Sequence, residues 1–207
     1  MSLSLLAIAP PSGAIDLRVL DVWREAGLDE LALLLREPGA RPGACVTGRL
    51  GPVREACVDA GLRALVAVDA DAIAAAVDVV VEHGLAGMQV RGDPSEDVLV
   101  RARDSIGGRL LGRSVHGDPD ALHGLVDYSV FAPVFAPRTE SAKVAAGLPA
   151  LQRWTDDRRA WMVALGGVTA STAHACVGAG ARGLASISSF FADPDPAELK
   201  RLAAALR

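Results

Sequence analysis

Short, almost wholly apolar runs alternate with amphipathic ones along this chain, at intervals of about 25 residues, and the alternation occurs eight times. The apolar runs cover residues 3–9, 31–35, 64–68, 87–90, 109–115, 128–132, 161–165 and 183–188. A run with no polar face must be covered on both sides, which is the condition of a strand in a parallel sheet sandwiched by helices. The intervening stretches predict helices over 17–26, 52–60, 72–82, from Pro94 and Ser95 to about 105, then 119–125, 148–155, 170–178 and 194–206. Asp193 or Asp195 opens the last of these, a Pro/Gly-rich turn fills 38–43, and a long loop fills 133–147. Eight parallel strands with eight helices predict a (β/α)₈ TIM barrel forming one domain over residues 1–207. An open sheet of that width would leave two edges to cover. The rival doubly wound fold has its nucleotide signature, GxGxxG, after the first strand, and Pro10-Pro11-Ser12-Gly13 stands there instead.

Hydrophobic residues make up 51% of the 207, enough for a core of this size. A net charge of −4, with no Lys/Arg cluster among aromatics, argues against a nucleic-acid partner. The opening MSLSLLAIAPP has no basic leader and too short an apolar run for a membrane span, so a cytoplasmic protein with no membrane partner is expected. Cys45, Cys57 and Cys176 fit neither a disulfide framework nor a zinc spacing and read as buried thiols.

In a barrel the chemistry gathers where the strands end, and here those ends carry Arg36, Asp69, Arg91, Asp93, Ser114, His116, Thr139, Gly167 and Ser188. The seventh and eighth ends suit an anion. Gly166 and Gly167 let the backbone approach a ligand, Val168, Thr169 and Ala170 open the following helix, and Ile187 with Ser188 ends the last strand. A phosphate between these turns would meet backbone donors from both.

His116 is the one histidine at a predicted strand end, whereas His83, His123 and His174 fall on helices or helix ends. Its imidazole, the side chain suited to proton exchange near neutral pH, competes with a structural hydrogen bond as its explanation. Glu140 is the second acid–base candidate, with a solvated carboxylate as the alternative. Asp69 could hold Mg²⁺, but a lone carboxylate is a weak metal site. Arg36 and Arg91 would each face a substrate anion or pair with Glu37 and Asp93. Trp154 and Trp161 read as packing between helices and barrel.

Several segments are similar to a known family. LLLRE, GRSVHGDPDAL, VDYSVFAPVFAPRTES, VALGGVTAST and GAGARGLASISSFF resemble, in strand order, the thiamine phosphate synthases and their sister group, the TenI-like thiazole tautomerases. The resemblance spans the barrel and is strong from Leu111 onward. It implies a thiazole phosphate at the C-terminal mouth, held by the backbone of Gly167, Ile187 and Ser188, with Gly147 against the thiazole. Ser114 matches the synthase serine near the pyrimidine, and Gly112, Ser114 and His116 share one strand face, opposite Val115.

The sequence also departs from both groups. Leu34 and Pro38 replace the Gln and Lys of the synthase QLREK segment, while Arg36 and Glu37 remain. The synthase Asn-Asp-Arg at the third strand becomes Val68-Asp69-Ala70, and its TPTK loop becomes Pro137-Arg138-Thr139-Glu140. The pyrimidine diphosphate side therefore loses cations, and thiamine phosphate is expected to be made poorly or not at all, with affinity for thiazole phosphates retained. On the tautomerase side, Pro133 stands where the catalytic histidine would be. The reading put first is a tautomerase-like proton shuttle on a thiazole phosphate, using His116, Ser114 and Glu140. The alternatives are a thiamine phosphate synthase and a non-catalytic or repurposed binder of a phosphorylated heterocycle. In each case the partner is a small phosphorylated heterocycle. No cofactor is obligatory, Mg²⁺ enters only with a diphosphate substrate, and a homo-oligomer is left open.

Overall fold

The computed structural model describes residues 3–120, 122–136, 144–156 and 161–207. Its strands are β1 (Leu5–Ile8), β2 (Leu31–Leu35), β3 (Arg63–Val68), β4 (Gly87–Val90), β5 (Leu110–Val115), β6 (Tyr128–Phe131), β7 (Met162–Ala164) and β8 (Gly183–Ser186). They pair in sequence order, all parallel, and β8 pairs back onto β1 through Leu184 opposite Leu5, so the sheet closes as a (β/α)₈ barrel. Closure removes both edges, and cover on both faces explains why the short strands are mostly apolar, with Gln89 and Arg113 among the exceptions. Alternation sorts the side chains: Leu34, Leu65, Val130, Val163 and Ala185 fill the barrel, while Leu33, Leu35, Val66 and Leu111 meet the helices. Gly112 makes room inside, since a Cβ there would lie 2.1 Å from Cζ of Tyr128.

The helices are α1 (Val19–Glu25), α2 (Pro42–Thr47), α3 (Gly51–Asp59), α4 (Ile73–Glu82), α5 (Glu96–Ile106), α6 (Leu148–Thr155), α7 (Ala173–Gly178), α8 (Ser188–Phe191) and α9 (Pro196–Ala204). Asp195 opens α9 by accepting the Ala197 N–H at 3.0 Å, which decides between the two aspartates proposed for that role. Trp154 packs in the outer layer as expected. Trp161 instead lies against the barrel interior, where its Nε1 donates to the Leu3 carbonyl at 2.9 Å.

Four expectations change. Residues 42–47, with 42 and 43 expected in the turn and the rest in no element, form α2, started by a proline at its first position. The helix expected over 119–125 is only a 3₁₀ turn, Leu122–Leu125, because the Asp120 carboxylate is drawn to the Arg113 guanidinium and the Leu122 N–H. The helix expected from residue 170 starts at Ala173, since Thr172 Oγ1 donates to the Gly167 carbonyl and accepts the Thr169 N–H. The last strand stops at Ser186, not at 188, and Ser188 starts the one-turn α8; Ser186 Oγ accepts the Ser189 N–H at 3.3 Å and turns the chain there. Among the described residues no helix is long and apolar enough to cross a membrane.

Candidate active site

The C-terminal strand ends open onto a cavity of about 610 Å³. Of the residues singled out in the sequence, Arg36, Asp69, Arg91, Ser114, His116, Gly166, Gly167, Ile187 and Ser188 all line it. Gly147 does not: with φ of +84° it precedes α6, and its N–H donates to the Val134 carbonyl. Thr139 and Glu140 lie outside the described residues, as does Arg138.

The side of the mouth formed by β7 and β8 is main chain and hydroxyls. Gly166 and Gly167 have φ of +98° and +62°, and a Cβ on either would come within 2.7 Å of Pro133 or Phe135. Only glycine satisfies both the dihedral and the contact. The N–H groups of Gly166, Gly167, Ile187 and Ser188 have no protein acceptor among the described residues, which leaves them free for an anion. A hydroxyl belt joins the two turns. Ser189 Oγ donates to the Val168 carbonyl at 3.3 Å and lies 3.2 Å from Ser186 Oγ, and Thr169 Oγ1 lies 2.9 Å from Ser171 Oγ. Sequence reasoning missed Ser171, Thr172 and Ser186 as parts of this wall; the hydroxyl density of VTAST and SISS was the available signal.

On the far side, the ends of β2 and β4 present cations and the end of β3 presents Asp69. Arg36 extends from the end of β2, and no acceptor for its guanidinium occurs among the described residues. Arg91 follows β4, and its Nη2 donates to Asp69 Oδ2 at 2.6 Å. The pairings expected as alternatives are not the ones formed: Glu37 bonds Arg49 at 3.2 Å, and Asp93 turns to His116.

His116 is held by Asp93 at two points. Oδ1 accepts the His116 N–H at 2.7 Å, and Oδ2 lies 2.8 Å from Nδ1, so Nε2 is the ring nitrogen left for a ligand. The same loop is pinned from behind. Trp154 Nε1 donates to the Gly117 carbonyl at 3.1 Å, and the buried Arg113 makes a two-pronged pair with Asp120 at 2.7 and 2.9 Å. Arg113 also donates to Ser129 Oγ and stacks 5.4 Å from the Trp154 ring centroid. Beneath the mouth runs a polar chain: Tyr128 Oη donates to Gln89 Oε1 at 3.2 Å, and Gln89 Nε2 donates to Ser114 Oγ at 3.1 Å. Complete burial pushes the Tyr128 phenol well above its ordinary pKa, so it remains a donor. Gln89, a lone amide in the run GMQV, is the residue whose polarity in a buried strand could have marked it beforehand.

The donor set does not suit a divalent ion held by protein side chains alone. Among the described residues no three His, Cys, Asp or Glu side chains gather as a metal site, and Asp69 is already committed to a guanidinium.

A family model described as thiamine monophosphate synthase matches residues 53–190. A thiamine-phosphate synthase of Geobacillus kaustophilus is 32% identical over 194 residues, covering 90% of this chain and 82% of that protein. One of Anoxybacillus flavithermus is 38% identical over 99 residues, which is 45% of this chain and just under half, 46%, of that relative. Among solved structures, a thiamine phosphate pyrophosphorylase from Pyrococcus furiosus superposes with a TM-score of 0.71 at 20% identity, over 99% of this chain and 95% of that one. A 3-hexulose-6-phosphate synthase superposes with a TM-score of 0.68, also at 20% identity and over the whole of both chains. At such identities these two structures speak for the fold.

Proposed function

This chain belongs to the thiamine monophosphate synthase family, and from that premise we propose that it joins a thiazole phosphate to a pyrimidine that carries a diphosphate leaving group. The relatives' names favour this synthase reaction over the tautomerase that the sequence put first. The observation that carries the proposal is one cavity with two anion-receiving sides, free backbone amides at β7 and β8 and two arginines at β2 and β4. In a closed barrel β3 lies across from β7 and β4 from β8, so two phosphorylated substrates meet with their reacting ends between the two anion sites. The carbon–oxygen bond to diphosphate breaks with its electron pair leaving on the diphosphate. The thiazole nitrogen supplies the pair for the new carbon–nitrogen bond. That nitrogen carries no proton, so bond formation does not require a base at the position that Pro133 occupies. Ser114, oriented by Gln89, is the polar contact for the pyrimidine. Arg36 and Arg91 stabilise the charge on the departing group, each charge-assisted bond contributing about 1.5–3 kcal/mol. Because protein side chains alone do not suit a divalent ion here, no step is assigned to one.

The tautomerase reading retains one supporting observation, the Asp93-backed imidazole of His116 at the rim. Incubation of the protein with thiazole phosphate and pyrimidine diphosphate, with thiamine phosphate as the product followed, tests the first reading. A parallel NMR experiment on the thiazole phosphate carboxylate follows the 1,3-proton shift. Thiamine phosphate is the expected product. A proton shift without coupling would replace the proposal by the tautomerase, and tight binding with neither reaction would make the protein a binder.

A further inference from the structure

We infer that Arg91, poised by Asp69, is the group that receives the diphosphate, and that this chain binds that anion without a divalent cation. The inference rests on the synthase reading only for the identity of the anion. Arg91 Nε is fully buried and has no hydrogen-bond partner, alone among the buried side-chain nitrogens and oxygens of the described residues. A buried N–H without an acceptor is unfavourable, and it persists where a ligand completes it. The guanidinium lines the cavity, and its one recorded side-chain bond, Nη2 to Asp69 Oδ2, sets the plane of the donor fork. Such a fork matches two phosphate oxygens at once. Arg36 lies at the same mouth two strands away, so two guanidiniums meet an anion bearing several charges.

Asp69 decides the question of the metal. Its carboxylate is the one acidic group that the sequence offered as a ligand, and it is spent on orienting Arg91. A cation at Asp69 would have to break that pair, and among the described residues no three His, Cys, Asp or Glu side chains gather to hold it. The side chain of Asp69 is 59% exposed and stays on Nη2, while the unpartnered Nε side of the guanidinium is left for the diphosphate. In this chain the guanidiniums therefore do the charge neutralisation that a metal would otherwise do.

Isothermal titration with inorganic diphosphate in EDTA, then in Mg²⁺, tests this directly. The wild type is expected to bind in EDTA, and Mg²⁺ should change the affinity by less than about threefold. Arg91→Gln should weaken diphosphate binding about tenfold or more, while affinity for inorganic phosphate at the β7–β8 turns stays the same and reports an intact fold. Asp69→Asn should bind diphosphate at least as tightly as the wild type, because the amide oxygen can still hold Nη2 and a negative charge beside the anion has gone. Binding that appears only with Mg²⁺, no binding of diphosphate at all, or an Arg91→Gln protein that matches the wild type would each overturn the inference. The two readings fail separately: diphosphate held by Arg91 without formation of thiamine phosphate sinks only the synthase, whereas turnover strictly dependent on Mg²⁺ sinks only the metal-free site.

Discussion

Between β7 and β8 the mouth is built from main chain, the amides of Gly166, Gly167, Ile187 and Ser188, whereas between β2 and β4 it is built from long side chains, Arg36 and Arg91 with Asp69. The first kind of site is as rigid as the barrel, because its donors are strand ends and its hydroxyl belt ties one turn to the other. The second depends on which side chain pairs with which. Side-chain identities on the arginine side can be exchanged without altering the barrel, provided positive charge still faces the anion. Identities on the amide side are confined by sterics, since glycine is the residue that fits there. That is why the family spelling survives in VALGGVTAST while the arginine side departs from QLREK.

The largest expected effect abolishes the distinction by unfolding both sides together. Burial pushes the thiols of Cys45 and Cys176 up to about 11 and that of Cys57 up to about 12, and it raises the Tyr128 phenol too. For Cys45 the nearby Glu37 carboxylate adds to the rise. These groups are neutral when protonated, and the folded state holds the proton more tightly than the unfolded chain does. Their contribution is therefore complete below pH 9, the ordinary thiol value, and is lost as pH rises towards 11–12. Urea midpoints should fall steeply as pH rises from 9 towards 11, and both anion sites should disappear with them; a flat profile would show that the thiols are not buried as described.

A sharper contrast comes from one substitution on each side. Gly167→Ala places a Cβ 2.7 Å from Phe135 Cβ at φ of +62°, and should cost about 2–4 kcal/mol of stability as strain and overpacking combine. Its affinity for thiazole phosphate should fall about tenfold or more, measured by titration. Arg36→Gln should leave stability and thiazole phosphate affinity unchanged and raise KM for the pyrimidine diphosphate about tenfold, the loss of one charge-assisted contact. If Arg36→Gln weakened thiazole phosphate equally, the two sides would not be independent.

The smallest effect concerns the belt that makes the amide side rigid. Ser189→Ala removes two neutral hydrogen bonds of 3.2 and 3.3 Å and should lower stability by about 1 kcal/mol, read from the urea midpoint, with a modest loss of phosphate affinity. No change in either would mean that the turns hold their shape without it.

The sequence by itself determined the barrel and the address of its chemistry. Eight apolar runs with no polar face can be buried on both sides only in a covered parallel sheet, and strand ends follow from the strands, so the rim residues from Arg36 to Ser188 were legible in one dimension. The glycine pair was legible for the same reason, since local backbone chemistry dictates it. Tertiary structure alone decided the partners. Arg91 meets Asp69 across 22 residues, His116 meets Asp93 across 23, and Arg113 reaches back from β5 to hold Asp120 and Ser129. Gln89 binds Ser114 on the neighbouring strand and Tyr128 from across the interior. Which neighbours meet depends on strand register and on which way each strand end turns, and a short apolar run encodes neither. The one-turn α8 was hidden for a related reason: four residues are too few to show a helical period, and a single serine hydroxyl, that of Ser186, turns the chain.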